Sequence, residues 1–190
     1  VYRRERDKRG FVVQGTLAGR TWRMEWGPSQ RDYLQGTELR LRCELGLPPD
    51  LQMLLISVEL MERLERDAFG LFTEQAQTEV ELKVPEEMRW LALFRKSNLS
   101  RWRAIRASLG AVASATGTVE AWLDDPEFVS LLEQSACAAD ERPALLDPVV
   151  LMTLRGRLYL RTRCDEPDPA VLQAAQRLFV RAATRARSVA

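Results

Sequence analysis

The sequence predicts an α+β protein: a mostly antiparallel sheet, made from an N-terminal hairpin plus a strand and from a C-terminal hairpin, packed against several helices. Two hairpin signatures carry that expectation, because Ala18-Gly19 and Arg155-Gly156 each place glycine between alternating apolar runs. A strict period-2 segment supports it: Leu39, Leu41, Cys43 and Leu45 alternate with Glu38, Arg40, Arg42 and Glu44. Helical stretches follow these strands without the regular βαβ order of a parallel sheet.

In chain order, residues 1–10 (VYRRERDKRG) have almost no apolar content and read as a charged N-terminal arm, flexible or opening a solvated helix. Residues 11–190 read as a single α+β domain. Val13, Gly15 and Leu17 alternate with Val12, Gln14 and Thr16, and Trp22, Met24 and Trp26 alternate with Arg23 and Glu25. Ala18-Gly19 is then a hairpin turn, and Gly27-Pro28 ends the second strand. Over Glu38–Leu45 the leucines and Cys43 face the core, while the charged residues pair across strands on the solvent side. Leu51–Ser57 is a short apolar run that suits a buried strand or a helix opening. Val58–Phe72 carries Met61, Leu64, Ala68 and Leu71 at helical spacing, and Glu79–Val84 alternates again.

Pro85-Glu86-Glu87 suits the start of a short helix over Met88–Phe94, where a missing N–H and negative charge are both favourable. Ser100 caps a further helix through Trp102, Ile105 and Leu109. Gly110–Gly117 is rich in small residues and reads as a linker or flexible loop, the place for a loose subdivision of the domain. Asp125-Pro126-Glu127 caps a helix with Phe128, Leu131 and Leu132 inward. In the closing unit Val149–Leu154 and Leu158–Arg163 flank Arg155-Gly156, with Val150, Met152 and Leu154 set against Leu158, Leu160 and Thr162. Asp168-Pro169 then caps a helix to about Arg187, with Val171, Leu172, Ala175, Leu178, Phe179 and Ala182 as its apolar stripe. Phe179 is expected in the core. Arg181 is expected on the solvent face, where truncation changes stability little. The two hairpins share T-L-x-G-R at Thr16–Arg20 and Thr153–Arg157, which fits either a duplication or the common demands of a tight turn.

Composition narrows the chemistry. The chain has 190 residues, 46% of them apolar, with 28 basic and 27 acidic side chains and no histidine. The missing imidazole removes Ser-His-Asp and Cys-His nucleophile pairs, histidine metal sites and histidine general bases. No Walker, Rossmann or G-x-S-x-G motif is present, so no nucleotide cofactor is implied. A net charge of +1 gives no global field for nucleic acid, and no specific nucleic-acid binding is expected. No apolar run is long enough to cross a membrane. Cys43, Cys137 and Cys164 are odd in number and far apart, which suits a reducing compartment. Val1, not Met, opens the chain, which leaves room for an upstream targeting or anchor segment.

Two acidic clusters, Glu86-Glu87 and Asp124-Asp125 with Glu127, contain groups that serve general acid–base or Mg²⁺ chemistry elsewhere. Both lie beside a proline at a helix start, where capping and the helix dipole account for them. No catalytic, cofactor or metal residue is therefore assigned. Binding surfaces are drawn instead from arginine and tryptophan. Arg101, Trp102, Arg103 and Arg106, helped by Arg95 and Lys96, form one candidate patch. Arg177, Arg181 and Arg185 follow an i, i+4 spacing and form another on one helical face.

The order of x-G-R hairpin, charged-apolar strand, D-P-E-F segment and closing hairpin plus helix resembles bacterial α+β families of unknown function. In these a G-D-P-x-F stretch precedes a strand-strand-helix unit. The residues that carry the resemblance are Gly19-Arg20, Asp125-Pro126-Glu127-Phe128 and Gly156-Arg157, and Asp124 stands where the glycine would. It implies a fold and no activity. The expected function is a non-catalytic bacterial interaction or scaffold domain, cytoplasmic, with a protein partner. The alternative is a small-ligand-binding protein or enzyme using arginine and carboxylate groups in a sheet–helix pocket.

Overall fold

A computed structural model describes residues 2–4, 10–74, 84–139 and 142–189. It holds strands β1 (Tyr2–Arg4), β2 (Phe11–Leu17), β3 (Arg20–Pro28), β4 (Thr37–Glu44), β5 (Met53–Ser57), β6 (Leu109–Ala113), β7 (Val149–Leu154) and β8 (Arg157–Arg163). The helices are α1 (Val58–Glu74), α2 (Glu86–Leu93), α3 (Thr118–Leu123), α4 (Pro126–Ala136) and α5 (Pro169–Val189). All eight strands belong to one sheet in the order β1-β2-β3-β4-β8-β7-β5-β6, and every neighbouring pair is antiparallel. The fold class is α+β, as the patterning predicts.

The two hairpins share one turn. Ala18 and Gly19 have φ of 48° and 77°, and Arg155 and Gly156 have 51° and 78°. Positive φ at both central residues is the type I′ geometry, whose twist matches that of the flanking strands. Glycine at the second position relieves half of the strain, which is the physical content of the T-L-x-G-R echo.

The sheet is covered unequally. On one face a row runs Met24, Leu41, Leu160, Leu151, Leu55 and Ala111 across β3, β4, β8, β7, β5 and β6. Helices α3, α4 and α5 close over it with Trp122, Phe128, Leu132, Leu178 and Phe179, all at most 1% exposed. On the other face α1 and α2 pack Leu60, Met61, Leu64 and Trp90 against Leu54, Ile56, Val112, Val150 and Met152, which belong to β5, β6 and β7. Among the described residues, the β2-β3-β4-β8 half therefore has helices on one side only. No helix among the described residues is long and apolar enough to cross a membrane.

Several expectations change. Residues 2–4 pair with β2 as an edge strand, where the sequence suggested an arm or a helix start. Residues 51–57 resolve to β5, whose five residues are all buried. No helix starts at Ser100: residues 99–108 form successive turns, with Trp102 N bonded to Leu99 O and Ile105 N to Trp102 O. The helical spacing of Trp102, Ile105 and Leu109 reflects their burial one turn at a time before the chain enters β6. Gly110–Ala113 is strand, not loop, because β6 buries Ala111 and Val112 against both helical layers. Thr118–Leu123 is a helix that the sequence reading lacks. The closing hairpin pairs Leu158, Leu160 and Thr162 with Thr153, Leu151 and Val149, so Val150 and Met152 face α1 and α2 instead. That alternation is hidden because β7 is buried on both faces. The alternating run at 79–83 lies outside the described residues.

Candidate functional site

Of the two expected binding patches, the structure disperses much of each. Trp102 is a core residue at 9% exposure, and its Nε1 donates to Leu123 O at 3.0 Å. Trp102 is thereby a buried residue of the core, not part of a surface patch. Arg101 sits 5.6 Å from the ring centroid and pairs with Asp124 at 3.0 Å, while Arg103 and Arg106 are exposed. On α5, Arg181 grips Asp125 through Nε at 3.1 Å and through Nη2, and reaches Glu127 at 2.9 Å. Arg185 Nη2 donates to Ala121 O at 2.7 Å and to Asp124 O at 3.3 Å, at the carbonyl end of α3. Two of the three expected α5 arginines, Arg181 and Arg185, thus tie α5 to the α3–α4 corner, while Arg177 of that set is exposed.

Asp125 is the pivot of that corner. Its Oδ1 accepts from Phe128 N at 2.7 Å as the N-cap of α4. The Arg181 hydrogen bond, outweighing burial and aided by the cap bond and by Arg185, holds its carboxyl below the usual carboxylate range. The acids at this helix start are explained by capping and ion pairing, as the sequence suggests.

A further concentration of polar groups lies on the face of the β2-β3-β4-β8 half that α3, α4 and α5 do not cover. The register places Arg23, Arg42 and Tyr159 in one row, Glu25, Arg40 and Arg161 in the next, and Gly27, Glu38 and Arg163 in a third. A chain of ion pairs links them: Arg23 with Glu25, Arg40 Nε with Glu25 at 2.8 Å, Arg40 Nη1 with Glu38 at 2.9 Å, and Arg161 Nη1 with Glu38 at 2.9 Å. Glu38 is fully buried and Arg161 is 7% exposed, so neither charge is tolerable without the other. Burial alone would raise the Glu25 carboxyl, but the hydrogen bond and charge of Arg40, with Arg23 and Arg42, bring it below its ordinary value.

One flank of this face is roofed. The β3–β4 connection carries Arg31 and Tyr33 over to α2, where both donate to Oε1 of the buried Glu87, at 3.3 Å and 2.7 Å. Burial and then the Glu87 charge push the Tyr33 phenol well above its ordinary range, so it stays a proton donor. Glu87 is thus a buried anchor for the loop, not a solvated acid at a helix start.

The rest of the face is open. Arg42 is exposed and stands directly across from Arg23, a like-charge cross-strand pair, and it enters no ion pair among the described residues. Arg23 Nε is buried without a hydrogen-bond partner. On β3, β4 and β8 this face carries Arg23, Arg40, Arg42, Arg157, Arg161 and Arg163 against Glu25, Glu38 and Glu44. Two open clefts cross it, one of about 230 Å³ between Arg23, Arg42 and Arg157 and one of about 420 Å³ between Arg23, Arg40 and Gln30. Among the described residues no group of three or more acidic or cysteine side chains is placed to hold a metal ion.

The signal for this site is present in the alternation of residues 38–44. What the alternation lacks is the identity of the neighbouring strand: Arg161 and Tyr159 arrive from more than a hundred positions away. Comparison of the chain with known protein families, with curated proteins and with solved structures finds no match in any of the three.

Proposed function

We propose that the protein is a non-catalytic interaction domain that docks an acidic segment of a protein partner on the open half of its sheet. The observation that carries this reading is the Arg23–Arg42 cross-strand pair, in which Arg23 is tied to Glu25 while the exposed Arg42 enters no ion pair among the described residues. Such a pair is repulsive alone and favourable when an anion lies between. The neighbouring arginines outnumber the acids on the same face, and the clefts there are open troughs, which suit an extended segment. A cytoplasmic setting belongs to the reading, supported by three buried cysteines that form no disulfide.

Fluorescence anisotropy with a labelled peptide of glutamate and serine tests it. Binding should weaken as salt rises. It should fall about tenfold or more in Arg42→Gln combined with Arg157→Gln, a loss on the scale of one or two charge-assisted hydrogen bonds. Arg101→Gln should leave it unchanged. Equal binding by all three proteins, or no binding at low salt, contradicts the reading. So does tighter binding to duplex DNA than to the peptide, since the reading assigns the open troughs to an extended peptide segment.

A further inference from the structure

The face opposite the proposed docking surface carries a second arginine pair in a different setting. Arg20 closes the first hairpin in the position that Arg157 occupies in the second, just after the Gly of the shared turn. Arg157 is neutralised by Glu44. Arg20 has no such partner: neither it nor Arg187 of α5 makes an ion pair or a side-chain hydrogen bond among the described residues.

Arg20 nonetheless lies close against the backbone at Gly46. A methyl group built on Gly46 would stand 2.9 Å, 3.0 Å and 3.2 Å from Nη2, Nη1 and Cζ of Arg20. Both terminal nitrogens lie nearer to that methyl position than Cζ does, so the guanidinium sits close against Gly46 with its Nη1–Nη2 side toward the glycine, and Nε is the nitrogen farthest from that contact. Arg187 converges from the last turn of α5, and both guanidinium groups are close enough to act on the Cys43 thiol. Between them lies a cleft of about 320 Å³ whose remaining lining includes Leu17, Leu45 and Ala183 and, among the described residues, no carboxylate.

We infer that this cleft binds a small organic carboxylate, its head held by Arg20 and Arg187 and its apolar body on Leu17, Leu45 and Ala183. A planar guanidinium fork fits a carboxylate with two parallel hydrogen bonds. The apolar lining gives a reason for the ligand to carry hydrocarbon, and the volume lies at the small end of ligand sites. The site is independent of the docking reading: it uses other residues on the opposite face of the sheet.

Titration followed by NMR, with hexanoate, hexanol and inorganic phosphate as separate probes, tests the inference. Hexanoate should shift the amide signals of Leu17, Leu45 and Ala183, and hexanol at equal concentration should not. Phosphate should bind more weakly than hexanoate, since it makes no use of the apolar lining. Arg20→Gln and Arg187→Gln should each weaken hexanoate binding about tenfold, with the thermal midpoint showing that the variants fold. Arg42→Gln, on the other face, should bind hexanoate like the parent. The inference is overturned if hexanol shifts the same signals equally, if phosphate binds as tightly as hexanoate, or if both folded arginine variants bind as the parent does.

Discussion

At the level of single residues, Asp125 shows how local chemistry and distant packing combine. Its role as a helix cap is legible in Asp125-Pro126-Glu127, because a cap bonds only three residues ahead. Its second partner, Arg181, lies 56 positions away and is not. Replacing Asp125 with alanine should cost about 1–2 kcal/mol at neutral pH, from the cap alone. The Asp125 carboxyl is lowered in the folded state, so its contribution is complete above the unfolded value near ~4 and is lost as pH falls through the lower folded value. Urea melts of parent and variant should therefore stay apart down to the unfolded carboxyl value and converge only as pH falls from there through the lower folded value. The expectation that truncating Arg181 is harmless is replaced: Arg181→Ala should lower the midpoint in the parent and much less in an Asp125→Ala background. Equal losses in both backgrounds would show that the two side chains act independently. Cys43 gives the plainer case. It is 1% exposed, and burial pushes its thiol up, so labelling without denaturant should be slow and should accelerate on unfolding.

For whole elements, legibility follows how many faces are buried. β4 shows its period because one side meets the core and the other meets solvent and a ladder of ion pairs. β5 and β7 show none because helices lie on both sides, and the register of the closing hairpin comes from its turn instead. β6 was obscured by small residues that fit beneath packed side chains: a methyl on Gly110 would stand 2.5 Å from Met61 Sδ. Helix α5 reads correctly because its 21 residues give its stripe many repeats. Phe179 on that stripe is 1% exposed within the main core, so Phe179→Ala should cost about 3–5 kcal/mol. Denaturant melting checks this, and a midpoint like the parent's would mean that α5 is not part of the cooperative core.

Across the whole molecule, the decisive feature is that one sheet serves two environments on the same face. The β5-β6-β7 half is sealed by α1 and α2, and the β2-β3-β4-β8 half keeps its charges, some buried in a chain of ion pairs and some open. Composition and periodicity predict the α+β class, but not where the helices stop covering the sheet. That boundary depends on Tyr33 and Arg31 meeting Glu87 from another element. For the same reason the expected surfaces at Arg101–Arg106 and on α5 lost Trp102, Arg181 and Arg185 to internal contacts, while Arg42 emerged where the sequence offered only an alternating strand. The central claim is that this open half is where an acidic partner segment docks. The most direct measurement is an NMR map of backbone and arginine Nε–H signals during titration with the glutamate–serine peptide. The account predicts shifts concentrated at Arg23, Arg42 and Arg157 and their strand neighbours, with Arg103, Arg106 and Arg177 unmoved. Shifts concentrated at those last three arginines, with β3 and β4 silent, would contradict it.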